Sequence, residues 1–217
     1  VNLFFKEQNM KRKNSTAQRK KVKLDNKHLK DPRIKKVYLT FKKQLYSQIK
    51  NEKFCIGVSG GPDSLALAFL SKIFSKKFNS KFVALIIDHN LRKQSGIEAR
   101  KVKKILTKHK IRTKILTWKG KIPKSNIQFN ARNIRYFLLK KECNKLNIKY
   151  LVLAHHEGDL IENFFIRLFR GSGLKGLSSL NIKKHSEDNI LNLIRPLINI
   201  KKNELIYISK KVFKFYL

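Results

Sequence analysis

Apolar residues recur at helical spacing from Ile34 onward, at Val37, Leu39, Phe41, Leu45 and Ile49, which predicts a helix with one face on a core. A short apolar run at 53–58 (KFCIGV) predicts a buried strand, and Leu65 to Phe74 a second helix. Residues 81–89 (KFVALIIDH) are almost continuously apolar, as a parallel strand covered on both faces requires. The charged stretch 93–110 keeps Ala99, Val102, Ile105 and Leu106 on one stripe and predicts a helix, followed by a strand at 111–118. A long helix over 127–146, a strand over 148–156, a helix over 159–169, a fifth strand over 191–197 and a helix from 202 to 217 complete the alternation. Strand and helix in turn predict an α/β fold: a doubly wound, mostly parallel sheet of about five strands, with ligands at the carboxyl ends of the strands. The folded domain is assigned to 34–217 and a basic, flexible arm to 1–33.

Composition narrows the function classes. The 217 residues hold 51 Lys and Arg against 14 Asp and Glu, a net charge of +37, so the surface attracts polyanions, RNA or DNA first among them. Heavy use of Lys, Asn and Ile also fits a low-GC coding bias, in which case part of the charge is only a solvated surface. The first 36 residues carry 13 Lys and Arg against 3 acids with little periodicity, as expected of a mobile arm or a transit peptide. Cys55 and Cys143 are the only cysteines and lie far apart in sequence, which argues against a disulfide framework, a zinc site or a sulfur-carrying cysteine pair. No apolar run reaches the ~18 residues of a membrane span. The protein is therefore expected to be soluble and intracellular, in a bacterial cytoplasm or in the matrix or stroma of an organelle of bacterial descent.

The candidate chemistry begins at SGGPDS, residues 59–64, between the first strand and its helix. Such a turn directs backbone N–H groups toward an anion at the positive end of a helix dipole. Gly60 and Gly61 permit positive φ and close approach, Pro62 suits the first helical turn, and Ser59 and Ser64 add hydroxyls. Asp63 is the odd member, because a carboxylate repels phosphate unless a cation lies between. Neither the Gly-Lys-Ser/Thr of a Walker loop nor the G-x-G-x-x-G spacing is present. Taken alone, the stretch also fits a tight connection with Asp63 as a dipole partner. Further on, Asp159 and Glu162 are spaced i, i+3 and share a helical face toward His155 and His156, as would suit an ammonium ion, or simply a first-turn acid pair. Asp88 and His89 end the second strand, where such folds bind nucleotides or where a turn caps a strand. Arg132 and Arg135 form a cationic edge beside Tyr136 for ATP or an RNA backbone, or are solvated helix residues. Arg170 precedes the glycine-rich GSG at 171–173, which also reads as a helix stop.

SGGPDS resembles the pyrophosphatase loop of the N-type ATP pyrophosphatases. Together with DHNLRKQSGIEA (88–99), NIQFNARNIRYFLL (126–139) and LAHHEGDLIENFFIRLFRGSGLKGL (153–177), it resembles the bacterial tRNA(Ile)-lysidine synthetase family from about Lys53 to Leu197. That resemblance implies a ligase that uses ATP and Mg²⁺ to adenylate C2 of the wobble cytidine in the CAU anticodon of tRNA(Ile), after which L-lysine displaces AMP. It implies nucleotide contacts from Ser59, Gly60, Gly61, Pro62, Asp63, Ser64, Asp88, His89 and Arg132, and catalytic roles for Asp63, His155, Asp159 and Glu162. Lysine and tRNA contacts fall to Asp159, Glu162, Arg135 and Arg170, and the metal to Asp63. The family's usual second acid, Gln and Thr around Asp159 are here Gly158, Leu160 and Asn163. Family members continue past Arg195-Pro196-Leu197 with further tRNA-binding domains absent from these residues. Either the sequence is a fragment, or the basic arm compensates, or a partner supplies the rest, as a homodimer or a separate C-terminal subunit. Two rivals remain: a tRNA thiolase with the same loop, and a non-catalytic RNA-binding remnant.

Overall fold

The computed structural model describes residues 27–90, 94–120, 125–156, 184–185 and 191–217. After a single 3₁₀ turn at His28–Lys30, helix α1 spans Pro32–Ile49. It starts at Pro32 rather than Ile34 because Asp31 caps it, accepting from the backbone N–H of Arg33 at 3.0 Å and of Ile34 at 3.3 Å, with Pro32 in the first turn. Strand β1 (Phe54–Val58), helix α2 (Pro62–Lys77), strand β2 (Phe82–Asp88), helix α3 (Ser95–Lys108) and strand β3 (Thr113–Thr117) follow. Helix α4 (Ile127–Lys145) leads to β4 (Tyr150–Val152), then come β5 (Lys184–His185), β6 (Asn192–Ile194) and α5 (Lys202–Phe213).

The sheet order is β3-β2-β1-β4-β6-β5. Five strands are parallel, and the two-residue β5 runs antiparallel on the β6 edge. Consecutive βαβ units step outward from β1 through β2 to β3; the chain then returns through α4 to β4 on the other side of β1. The order therefore reverses between β1 and β4, and their carboxyl ends open a crevice there.

Alternate strand residues feed two cores. Phe54, Ile56, Val58, Ala84, Ile86, Val152 and Ile194 face α1, α2, α3 and α5, whereas Cys55, Val83, Leu85 and Leu151 meet Leu139 and Cys143 of α4. In α1 the buried stripe is Ile34, Val37, Tyr38, Phe41, Leu45 and Ile49. Leu39, expected on that stripe, is 47% exposed, because it lies about 200° around the helix from Val37 at ~100° per residue. The last helix is shorter than its pattern predicts, stopping at Phe213 with Lys214 in a left-handed C-cap.

Two polar clasps fix the outer helices. Tyr207 donates its hydroxyl to the second oxygen of Asp31 at 2.6 Å, and Arg33 pairs with Glu204 at 2.6 Å, joining α5 to the start of α1. Lys114 on β3 donates to both oxygens of Glu142 on α4 at 2.7 and 2.8 Å. Among the described residues no helix is long and apolar enough to cross a membrane.

Candidate active site at the carboxyl ends of β1 and β4

The turn from β1 into α2 is a set of oriented backbone groups. Gly60 has φ +95°, and a Cβ there would lie 2.6 Å from Leu217 Cδ1 and 2.6 Å from Val102 Cγ2, so this position takes glycine for both reasons. The N–H groups of Ser59 and Gly60 donate to Ser64 Oγ at 3.2 and 3.1 Å, and that of Gly61 to Ser59 Oγ at 3.4 Å. Every carbonyl from Gly60 to Pro62 is engaged: Gly60 by the N–H of Leu217 at 3.1 Å, Gly61 by Ser64 Oγ at 2.9 Å, and Pro62 by Ser209 Oγ at 2.5 Å. The acceptors are thus tied down, and the amides converge on the hydroxyls of Ser59 and Ser64. What remains is a cluster of donors at the positive end of a 16-residue helix, which suits the phosphates of a nucleotide.

A cavity of about 480 Å³ opens above this turn. Ser59, Gly61, Asp63 and Ser64 line it from the loop, His89 from the end of β2, Ser95 and Glu98 from α3, Arg135 and Tyr136 from α4, and His155 from the end of β4. Asp63 Oδ2 lies 3.6 Å from Nε2 of the buried His156, tying the first turn of α2 to the end of β4 across the switch point. His156 itself is held by a parallel bridge to Leu197. The His89 imidazole is pushed below its usual range by burial first, then by Arg135, with Asp88 opposing. His89 is therefore neutral at pH 7. Arg135 is drawn slightly down by burial, with Tyr136 opposing and Arg132 adding to the shift, and stays cationic as guanidinium does. Among the described residues, the cavity wall thus holds the guanidinium of Arg135 and the carboxylates of Asp63 and Glu98.

Of the residues singled out from sequence, Ser59, Gly61, Asp63, Ser64, His89, Arg135 and His155 meet around this cavity. Gly60 and Pro62 shape the loop without lining it. Asp88 is buried and turned aside, accepting from the N–H of Asn90 at 3.0 Å and from Ser95 Oγ at 2.7 Å. Arg132 is exposed, with its guanidinium 5.3 Å from the centre of the Tyr136 ring. Asp159, Glu162 and Arg170 lie outside the described residues. His156, Glu98, Ser209 and Leu217 were not foreseen as site residues. Of two adjacent histidines at a strand end, one faces each side of the sheet, and sequence alone does not say which meets Asp63. Ser209 and Leu217 lie about 150 positions from the loop that they brace.

The cysteines, distant in sequence, are neighbours in space. Cys55 on β1 and Cys143 on α4 are both fully buried on the α4 side of the sheet, and the thiol of Cys55 is pushed up by its hydrogen bond to Cys143 and by burial. Neither thiol lines the cavity, so neither is poised to carry sulfur to a substrate there.

Residues 34–216 match the PP-loop domain family. Curated relatives include the tRNA(Ile)-lysidine synthase of Orientia tsutsugamushi (strain Boryong), 46% identical over 156 residues, which make up 72% of this chain and 35% of that protein. The tRNA(Ile)-lysidine synthase of Rickettsia bellii (strain OSU 85-389) is 42% identical over 165 residues, 76% of this chain and 38% of that one. The chain thus spans little more than a third of the length of these relatives. Among solved structures, the U34-tRNA thiolase NcsA from Methanococcus maripaludis with its 4Fe-4S cluster superposes with a TM-score of 0.73 at 22% identity, over 85% of this chain and 65% of that one. That likeness is one of fold. With the loop, the switch-point cavity and a family match over 34–216, the chain belongs to the PP-loop domain family.

Proposed function

We propose that this chain carries the ATP-pyrophosphatase domain of a tRNA(Ile)-lysidine synthetase. One observation supports the reading above the others: the 59–64 turn, its acceptors engaged and its amides and hydroxyls gathered at a helix start beneath a cavity large enough for a nucleotide. ATP lies in that cavity with its phosphates on the turn. The wobble-cytidine O2 attacks the α-phosphorus, the bond to the β,γ-pyrophosphate breaks, and pyrophosphate leaves carrying its electrons. The neutral ε-amine of lysine then attacks C2, the C2–O bond breaks, and AMP departs.

The chain's own groups have distinct parts in this scheme. The amides of Ser59 and Gly61, with the hydroxyls of Ser59 and Ser64, all in the cavity wall, hold the leaving pyrophosphate, where fixed donors act most strongly on developing charge. Arg135 stands opposite Asp63 and Glu98 and takes a phosphate or the tRNA backbone. His89, neutral at pH 7, accepts or donates a hydrogen bond without adding charge. Asp63 is the described carboxylate best placed for Mg²⁺, an ion that keeps most of its waters and takes one or two carboxylates plus substrate phosphates. The absence of any cluster of three or more His, Cys, Asp or Glu among the described residues is compatible with such a site. When bound, Mg²⁺ supplies charge neutralisation to the departing pyrophosphate. Asp159 and Glu162 are assigned to the lysine ammonium by family resemblance.

The test incubates the full chain with Mg-ATP, radiolabelled lysine and tRNA(Ile) bearing the CAU anticodon, with tRNA(Met) as control. Label confined to tRNA(Ile) supports the whole scheme. Release of AMP and pyrophosphate without label restricts these residues to the adenylation step, and no ATP turnover overturns the proposal.

A further inference from the structure

The opposite, amino-terminal edge of the sheet carries a second and larger cavity, about 940 Å³, at the upper end of the ~300–1,000 Å³ usual for ligand sites. Two cation groups surround it. Lys53, Lys81 and Arg112 each stand immediately before a strand, β1, β2 and β3 in turn, and these strands are neighbours in the sheet. Strands lie ~4.8 Å apart, and Lys53 is level with Lys81 while Arg112 lies two residues further along, so the three form a stepped row along the sheet edge rather than a single focus. Lys72, Lys108 and Lys110 form the second group, beside His28 and His109.

The two imidazoles are seated on phenyl rings. His28 packs edge-on against Phe69 with centroids 5.5 Å apart, and His109 against Phe213 at 4.7 Å. Among the described residues that line the cavity there is no Asp or Glu. The cations feel one another: His109 is held below its usual range by burial first, then by Lys72, His28 and Lys108, and Lys72 by burial and then Lys110. Folding thus gathers like charges over an apolar floor, and an anion bound there offsets their repulsion. The active-site cavity has a different character, with Asp63 and Glu98 in its wall.

We propose that this amino-edge groove is a second RNA site, which takes successive phosphates of a single-stranded segment along the row of Lys53, Lys81 and Arg112 and a base against the partly exposed imidazole of His28 or His109, each backed by a buried phenyl ring. The row favours a linear polyanion over a lone small anion, and paired rings over a recessed floor favour unstacked bases over a flat lipid surface. The proposal rests on an RNA being the substrate, and assigns it a contact far from the reacting nucleotide.

The test must separate a site from the general field of a +37 chain. A fluorescein-labelled octauridylate is titrated into the full chain across a salt series. The wild type is compared with K53Q/K81Q/R112Q and with K35Q/K36Q/K43Q, which removes the same charge from the exposed face of α1. The groove variant should bind at least about tenfold more weakly, with the log–log salt slope reduced by about 2, as three lost phosphate contacts on a single strand imply at ~0.7 each. The α1 variant should change affinity less than about threefold. Equal losses in both triples, or none in the groove triple, overturn the proposal. K81Q alone, at an exposed position, should lower affinity about twofold to fourfold; if it does not while the triple does, the triple's loss is one of folding and the site is refuted. Pyrophosphate release from ATP, read in parallel, reports the upper cavity independently: its failure would sink the ATP reading and leave the groove result standing.

Discussion

Gly60 and Gly61 are adjacent, and the structure assigns them opposite reasons for being glycine. In Gly60→Ala the new Cβ is forced to φ +95°, and its carbon sits 2.6 Å from both Leu217 Cδ1 and the buried Val102 Cγ2. A left-handed conformation costs about 1–2 kcal/mol for a residue with a side chain. Overpacking against a core that must shift adds about 1–3 kcal/mol. The expected loss is therefore about 2–5 kcal/mol, which at ~2–4 °C per kcal/mol for a chain of this size lowers Tm by about 4–20 °C. Gly61 differs: its φ is −70°, and the nearest atom to a built Cβ is Ser59 Oγ at 3.7 Å. Gly61→Ala should therefore fold with stability within about 0.5 kcal/mol of wild type. Its methyl group, however, projects where a phosphate must approach the amides, and ATP turnover should fall at least about tenfold. Urea unfolding followed by circular dichroism, with pyrophosphate release on the same samples, reads both. A Gly60→Ala protein that unfolds with wild type, or a Gly61→Ala protein that keeps full turnover, would refute the geometry assigned to the loop.

Other perturbations address the packing around the site. Lys114→Met strands the buried Glu142 carboxylate and should cost about 1–3 kcal/mol in urea unfolding; Glu142→Gln in the same background should recover part of it, whereas an additive loss would mean that the pair is inert. Cys55 and Cys143 should not react with Ellman's reagent in the native state and should both react at the rate of unfolding; a fast native phase would contradict their burial. His28, His89 and His109 all have folded pKa values below the ordinary 6.5, so the unfolded chain binds more protons as pH falls. Their contribution is complete above about pH 6.5 and is lost as pH drops below it, so the urea midpoint should decline from pH 7 to pH 5, and a flat profile would contradict the shifts. Ser209→Ala leaves the Pro62 carbonyl without its hydroxyl donor and should cost about 1–2 kcal/mol, with Ser209→Thr closer to wild type.

Local chemistry was written plainly in the chain. Near-continuous apolar runs at 54–58 and 82–88 specify strands covered on both faces, since only burial on both sides makes every residue of a strand apolar. The SGGPDS turn raised the expectation of an anion site because glycine, proline and serine at a strand-to-helix junction gather backbone and hydroxyl donors at the start of a helix. The stripe of α1 was nearly legible, except that Leu39 falls outside the arc and Tyr38 inside it. A two-residue strand such as β5 carries no periodicity and left no signal.

The arrangement of these pieces required the folded chain. Sheet order decides that the end of β4 stands beside the end of β1, and so brings His156 to Asp63 across 93 positions of sequence. The same return path lays Cys143 against Cys55 and brings Ser209 and Leu217 to the carbonyls of the loop. Sequence periodicity reports which face of an element is buried; it carries no information on which other element covers that face. The sequence by itself thus determined the elements and the phosphate loop, because these follow from local conformational preference and burial. The partners of that loop, and the ring of cations under the far edge of the sheet, were decided by tertiary packing, which alone sets distances between residues remote in the chain.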